Sequence, residues 1–132
     1  MGIPRELRIR KNKDFQIIRK EGLRRISPYF IAQLRSVSTQ PDSGTGLEAE
    51  QLIQLNQPLL GVIAGRRVGN AIIRNRGKRI MRNLFIKHMD LLPNGSQLVV
   101  ILRSGFEKVA TAQLENDFLQ ACNWFKEKSI NS

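Results

Sequence analysis

A run of basic residues between positions 66 and 82 is the part of the sequence best suited to bind a ligand. Its seven cations, with no Asp or Glu among them, are Arg66, Arg67, Arg74, Arg76, Lys78, Arg79 and Arg82. Arginine predominates, and its planar guanidinium group makes paired hydrogen bonds to phosphate oxygens. The chemistry that this run predicts is recognition of a polyanion.

A helix that begins after Gly69 and Asn70 would place most of these cations on one surface. At about 100° per residue, the apolar face consists of Ile73, Gly77, Ile80, Met81 and Leu84. The neighbouring basic row consists of Arg74, Lys78 and Arg82, with Asn75 and Arg79 beside it. Asn70 is predicted to cap the helix, and Gly69 to supply an unusual backbone conformation. An ordinary solvated helix face mixes charges of both signs, so this one-sided row favours a polyanionic partner.

Length and composition agree with a single small domain, residues 1–132. The formal net charge of +11 favours phosphate-rich partners. The chain has no run of about 18 apolar residues, so neither a membrane-spanning helix nor a membrane partner is expected. The first twelve residues lack the apolar stretch of a secretory signal. The single cysteine, Cys122, excludes a disulfide within the chain. A cytoplasmic protein is therefore expected.

Groups that could carry out catalysis are scarce. The one histidine, His88, falls near the apolar face of the basic helix, so a partly buried structural histidine is expected. No carboxylate is paired at motif-like spacing with a second acid or a histidine, and no nucleophile has an adjacent base. The residues thus predict a nucleic-acid-binding module with no catalytic or metal-ligating residues of its own. Structured RNA is favoured over DNA, because helix-turn-helix spacing, a zinc ligand set and a heptad zipper are missing.

The rest of the chain predicts the elements that position the basic helix. A short helix over 13–20, capped by Asn12 and stopped at Gly22, has Phe15 and Ile18 as apolar anchors. Strands are expected over 27–37, 58–65 and 97–102, and a last helix over 111–126. Residues 39–57 carry acids but no base and predict a flexible acidic loop. This order favours one sheet with the two later helices on one face and a cleft beside the first helix on the other.

These residues resemble the protein component of bacterial ribonuclease P. The family's Arg-Asn-Arg signature is matched by Arg74-Asn75-Arg76, followed by Lys78, Arg79 and Arg82 and preceded by Arg66-Arg67 and Gly69-Asn70-Ala71. The N-terminal pattern Lys11-Asn12-Lys13-Asp14-Phe15 leading to Gly22 also matches. The resemblance covers nearly the whole chain, from position 7 to position 126.

The resemblance implies an α/β two-layer sandwich: a small, mostly antiparallel four-stranded sheet with three helices in the order α-β-β-β-α-β-α. It also implies an unusual left-handed crossover through the basic helix, opposite to the general rule. The implied function is that of a protein subunit of the endoribonuclease that matures the 5′ end of tRNA. The catalytic centre and its Mg²⁺ ions would belong to the RNA subunit.

The implied partners are the ribonuclease P RNA and precursor tRNA. The residues expected to bind the RNA subunit are Arg66, Arg67, Asn70, Arg74, Asn75, Arg76, Lys78, Arg79 and Arg82. Those expected to bind the 5′ leader, in the cleft beside the first helix, are Lys11, Lys13, Phe15, Arg19 and Gln33. Arg19 and Gln33 occupy positions where family members often carry aromatics, so leader binding is expected to depend more on charge. Gly77 occupies a position where a branched aliphatic is common.

Two other functions fit parts of the pattern. A basic ribosomal or RNA-chaperone protein would bind RNA with no role in cleavage. A nuclease acting by itself would need an acid–base or metal-ligand cluster, which the sequence lacks. Stimulation of precursor-tRNA cleavage by a ribonuclease P RNA at low Mg²⁺ discriminates among the three.

Overall fold

The computed structural model of the chain describes residues 8–9, 12–36, 58–93 and 95–131. Its helices are α1 (Asn12–Glu21), α2 (Ala71–His88) and α3 (Thr111–Asn131), and its strands are β1 (Leu23–Ile26), β2 (Phe30–Ser36), β3 (Leu59–Ile63) and β4 (Ser96–Leu102). Short 3₁₀ turns are present at Arg66–Val68, Met89–Leu91 and Phe106–Lys108. The order of helices and strands is the one that the family resemblance implies.

The four strands form one sheet in the order β1-β2-β4-β3. The pairs β1–β2 and β2–β4 are antiparallel, and β3–β4 is parallel. The sheet is therefore mixed but mostly antiparallel, as expected. The parallel neighbours β3 and β4 are joined through α2, because parallel strands need a crossover that returns the chain to the same end of the sheet. The left-handed sense of that crossover stays a prediction.

Two hydrophobic clusters lie on opposite faces of the sheet. The larger cluster packs Phe85 of α2 and Phe118 of α3 against β2 and β4 residues such as Phe30 and Val100. The smaller cluster consists of Ile9, Ile18, Leu59 and Val99, with Phe15 and Ile101 packed against it. This confirms that the two later helices share one face and that the first helix lies on the other.

The expected strand over 27–37 is wrong at its start. Residues 27–29 form a turn in which the Ser27 N–H donates to the Phe30 carbonyl at 2.9 Å, and Pro28 has no N–H to offer a strand ladder. β2 therefore begins at Phe30, and residues 23–26 form strand β1, which periodicity missed. Asn12 is the first residue of α1 instead of its cap. The predicted acidic loop, 39–57, lies outside the described residues.

Among the helices of the described residues, none is both long enough and apolar enough to cross a bilayer.

Candidate RNA-binding surfaces

The start of α2 is fixed by local chemistry that the sequence predicts. Asn70 caps the helix, with its Oδ1 accepting a hydrogen bond from the Ile73 N–H at 3.0 Å. Gly69 has φ +153°, and a Cβ at this position would lie 2.9 Å from Ile73 Cγ2. Both the backbone angle and the crowding therefore require glycine. Val68, which is buried, anchors the preceding 3₁₀ turn, so the basic pair Arg66-Arg67 is held next to the helix.

Gly77 lets α2 approach the sheet closely. A Cβ at this position would lie 2.6 Å from both Leu102 Cδ1 and Phe106 Cζ. These two side chains occupy the space that a branched aliphatic residue would otherwise fill. The buried residues of α2 are Gly77, Met81, Leu84 and Phe85, which is the apolar face that periodicity predicts. Leu102 and Phe106 thus fill the space that the missing side chain of Gly77 leaves.

The cations of α2 lie beside and opposite this buried face. Arg74, Lys78 and Arg82 are half-buried and flank it, as the i, i+4, i+8 spacing predicts. The exposed residues of the signature region are Arg66, Arg67, Asn70, Asn75, Arg76 and Arg79. All nine residues expected to bind the RNA subunit therefore belong to α2 or to the turn that leads into it.

The charges of this surface are uncompensated within the described part of the chain. No Asp or Glu carboxylate of the described residues lies within ion-pair distance of any of the seven cations between positions 66 and 82. The Arg74 Nε atom is shielded from solvent and lacks a hydrogen-bond partner. A row of unpaired guanidinium groups on a rigid helix can bind successive phosphates, because each offers several donors in a fixed plane.

The other end of α2 is tied to α3. Glu115 Oε2 lies 2.8 Å from Lys87 Nζ and 2.7 Å from His88 Nε2. Hydrogen bonds from Lys87 and then from His88 hold the pKa of the Glu115 carboxyl below its ordinary value. The His88 ring also lies 6.4 Å from that of Phe118. His88 is thus the partly buried structural histidine that the sequence predicts.

Helix α1 lies on the opposite face of the sheet and forms one wall of a second surface. Its residue Ile18 is fully buried. Phe15 is half-buried, and its Cε1 atom is 2.6 Å from where a Cβ on Gly61 would lie. Lys13 and Arg19 are exposed on the same helix. Lys11, also expected to bind the leader, lies outside the described residues.

The floor beside α1 contains two buried amides. Gln33 is 4% exposed, so little of this expected leader-binding side chain reaches the surface. Gln97 is fully buried, and its Oε1 accepts a hydrogen bond from Arg35 Nη1 at 3.2 Å. Sequence reasoning missed Arg35 and Gln97. Their partnership depends on the β2–β4 register, in which they are paired, and a single sequence does not reveal strand register between distant segments.

The placement of the side chains gives little support to a redox-active cysteine or to a metal site. Burial raises the pKa of the Cys122 thiol to about 12, so this cysteine is a packing residue. Among the described residues, no group of three or more His, Cys, Asp or Glu side chains could hold a metal ion.

Comparison with known proteins agrees with this geometry. The family model described as Ribonuclease P matches residues 3–126. The ribonuclease P protein component of Streptomyces avermitilis is 33% identical over 115 residues, which cover 87% of this chain and 88% of the relative. That of Thermotoga maritima is 29% identical over 128 residues, which cover 96% of this chain and 89% of the relative.

Solved structures give the same result. The structure of the Thermotoga maritima RNase P protein matches with a TM-score of 0.68 and 27% identity, covering 87% of this chain and 94% of that one. The Staphylococcus aureus RNase P protein matches with a TM-score of 0.67 and 25% identity, covering 86% of this chain and 90% of that one.

Proposed function

We propose that this chain, which belongs to the ribonuclease P protein family, binds the ribonuclease P RNA and the 5′ leader of precursor tRNA and so assists maturation of tRNA 5′ ends. The observation that carries the proposal is the row of uncompensated cations along α2. Helix α2, which carries the row, packs closely against the sheet at Gly77 and is capped by Asn70. The cations are therefore already positioned before RNA binds.

The RNA subunit binds to α2 and to the turn at Arg66-Arg67. Each arginine that contacts a phosphate replaces a condensed counterion, and the released counterions make binding strongly dependent on salt. Arg76 and Arg79 are exposed, and Arg74 flanks the buried face, so these side chains differ in how deeply they contact the RNA. Asn75 adds hydrogen bonds from a neutral side chain.

The leader binds on the other face of the sheet, beside α1. Lys13 and Arg19 meet its phosphates, and the half-buried ring of Phe15 offers a surface on which a base can stack. Because α1 and α2 lie on opposite faces of the sheet, one protein can bind the RNA subunit and the leader at the same time. That arrangement tightens binding of precursor relative to mature tRNA.

The cleavage chemistry belongs to the RNA subunit and its bound Mg²⁺, which supplies the activated water and stabilises developing charge. This chain binds and orients the two RNAs and lowers their phosphate repulsion, so the holoenzyme needs less Mg²⁺ than the RNA subunit alone. We assign His88 a structural role, because its Nε2 atom hydrogen-bonds to Glu115 and its ring lies near that of Phe118, so that it ties α2 to α3. The protein acts in the cytoplasm, where tRNA precursors are processed.

Reconstitution tests this function. The purified protein, added to its cognate ribonuclease P RNA at limiting Mg²⁺, is expected to restore cleavage of precursor tRNA and to lower the KM for precursors with a long leader. An RNA chaperone would accelerate folding of the RNA but would no longer be needed once the RNA was folded. Cleavage by the protein without RNA would instead indicate a nuclease that acts by itself.

A further inference from the structure

Two cations lie over the ring of Trp124, which is the only tryptophan in the sequence. The guanidinium carbon of Arg25 is 5.8 Å from the ring centroid, and Lys128 Nζ is 5.7 Å from it. Arg25 belongs to β1. Trp124 and Lys128 belong to α3 and are four residues apart, so they lie on one side of that helix. We call these three residues the tryptophan cluster.

The tryptophan cluster lies on the face of the sheet opposite to α1. Arg25 pairs with Ala32 between β1 and β2, and paired residues on neighbouring strands share a face. Ala32 belongs to the larger hydrophobic cluster, against which Trp124 also packs. β1 and β3 form the two edges of the sheet, and α2 packs against β3. The tryptophan cluster is therefore separate from the surface beside α1 and from the basic row of α2.

The positive charges of the cluster are not balanced within the described part of the chain. Neither Arg25 nor Lys128 has an Asp or Glu carboxylate there within ion-pair distance. The Arg25 Nε atom is shielded from solvent and has no hydrogen-bond partner among the described residues. Two like charges over one ring repel each other, and an anion bound by both would remove that repulsion. The cluster thus suits an anionic ligand.

The chemistry of the cluster favours a phosphate that adjoins an apolar group. A guanidinium group donates hydrogen bonds in its own plane, so a ring over the face of Arg25 leaves its Nη donors able to bind phosphate oxygens. Lys128 is exposed and adds a second charge, while Trp124 is half-buried. The exposed part of the indole can contact the ribose or base next to a bound phosphate. Cations beside an aromatic ring are the combination with which proteins bind single-stranded nucleic acids.

We propose that the tryptophan cluster is a third RNA site, at which Arg25 and Lys128 bind phosphates of single-stranded RNA. This inference rests on the proposed function, in which the two RNAs of the holoenzyme occupy α2 and the α1 face. The strand bound at the cluster is either a separate RNA or the upstream part of a long precursor that has passed the β1 edge. Arg24 and Arg25 are neighbours on β1 and point to opposite faces, so this edge carries a cation on each side.

Fluorescence of the single tryptophan measures binding at this site directly. The holoenzyme is first saturated with a non-cleavable precursor that has a leader of about four nucleotides, so that the α1 and α2 surfaces are occupied. Oligo-U of about sixteen nucleotides is then added, and these two lengths bracket the usual size of single-strand sites. Oligo-U is expected to change the Trp124 emission to a saturating value. Binding is expected to weaken with salt, by about 0.7 units of log–log slope for each contacted phosphate.

The double variant Arg25→Gln with Lys128→Gln removes both charges and keeps part of each apolar stem. Its affinity for oligo-U is expected to fall by about tenfold, for two exposed ionic contacts of ordinary strength. The salt slope is expected to fall by about 1.4 units, for two phosphates. The matched control is Lys108→Gln with Lys126→Gln, which removes the same formal charge from exposed positions. Lys126 is two residues from Trp124 and so lies on another side of α3. The control is expected to bind oligo-U as the unmodified protein does.

A precursor extended at its 5′ end to about sixteen unpaired nucleotides distinguishes the two sources of the strand. If the extended precursor itself reaches the cluster, it changes the Trp124 emission without oligo-U and prevents added oligo-U from binding. If it leaves the emission unchanged while oligo-U still binds, the site takes a separate RNA. Both results support a third RNA site.

Four results would overturn the proposal. One is an emission that neither RNA changes, and another is an equal loss of oligo-U affinity in the double variant and in the control. An oligo-glutamate peptide that changes the emission where RNA does not would assign the cluster to an acidic protein. Weaker binding of the double variant to ribonuclease P RNA without substrate would assign it to the RNA-subunit interface. The proposed function fails separately, if the unmodified protein neither binds nor stimulates the RNA subunit.

Discussion

The Phe15 ring lies against the backbone of Gly61, so close that no side chain fits between helix α1 and strand β3. Its Cε1 atom is 2.6 Å from the position that a Cβ on residue 61 would occupy. The ring is nevertheless only half-buried. One side of it therefore packs in the smaller hydrophobic cluster, and the rest remains available to a ligand.

Phe15→Leu is expected to separate these two contributions. Leucine keeps an apolar side chain in the cluster but removes the aromatic surface, and stacking of a base is worth about 1–3 kcal/mol. Binding of the holoenzyme to a long-leader precursor is expected to weaken by about thirtyfold, which corresponds to the middle of that range, with binding to mature tRNA unchanged. Equal losses for both RNAs, together with a lower urea midpoint, would mean that Phe15 serves only as a core anchor.

Gly77→Ala is expected to destabilise the protein. Alanine in a helix interior is ordinarily more favourable than glycine by about 1 kcal/mol. Here the added methyl group would meet Leu102 and Phe106, both buried, at 2.6 Å. Overpacking of this kind costs about 1–3 kcal/mol, so the net free energy of unfolding is expected to fall in urea titrations.

Gly65→Ala is the control for this substitution. A Cβ on Gly65 meets no atom within 4 Å, and its φ of −77° suits any residue. This variant is expected to be neutral or slightly stabilising, because alanine restricts the unfolded chain. A stabilised Gly77→Ala variant would show that α2 can move away from the sheet at little cost.

The contrast between Asn70 and Gly77 shows what could be predicted from the sequence. The cap at Asn70 depends on residues within one helical turn, so its chemistry is local and the prediction is confirmed. The need for glycine at position 77 comes from Leu102 and Phe106, which are distant in the sequence and meet α2 only in the folded protein. Periodicity placed Gly77 on the buried face but gave no measure of how close the sheet lies.

Strand β1 and the burial of Gln33 escaped prediction for a related reason. β1 has only four residues, two of them arginines, and it becomes a strand by pairing with β2. Alternation along β2 correctly separated Gln33 from the face of Phe30, Ala32 and Leu34. It did not reveal that the α1 face is filled at this rung, which leaves Gln33 4% exposed. Both features depend on strand register and on packing between distant segments.

Substitution of Arg74, Arg76 and Arg79 by alanine is expected to weaken assembly with the ribonuclease P RNA while leaving the fold intact. These side chains have no carboxylate partner among the described residues, so their loss breaks no ion pair within that part of the chain. Each lost phosphate contact is expected to reduce the log–log salt slope of binding by about one unit. The measurement is RNA affinity across a salt series.

A second triple variant controls for net charge. Lys108, Lys126 and Lys128 are exposed and lie outside α2, so changing them to alanine removes the same formal charge from another surface. This control is expected to keep most of the RNA affinity and nearly all of the salt slope. Equal losses in the two triple variants would mean that overall charge, and not the α2 row, determines binding.

Glu115→Gln is expected to remove a pH-dependent part of the stability. Because Lys87 and His88 hold the pKa of Glu115 below 4.5 in the folded state, the unfolded chain binds a proton at this residue more readily. The resulting stabilisation is fully present above the unfolded pKa and is lost as the pH falls through the folded pKa. Urea denaturation should therefore show a smaller loss of stability on acidification below 4.5 in the variant than in the unmodified protein.

Glu127→Gln provides the comparison on the same helix, because Glu127 is exposed and has no ion-pair partner among the described residues. It is expected to keep the unmodified dependence of stability on pH. High salt is expected to reduce the difference between the two variants, since the Glu115 side chain is partly exposed and its attraction to Lys87 is screened. If both variants lose stability on acidification as steeply as the unmodified protein, the Glu115 contacts position α2 against α3 without stabilising the fold.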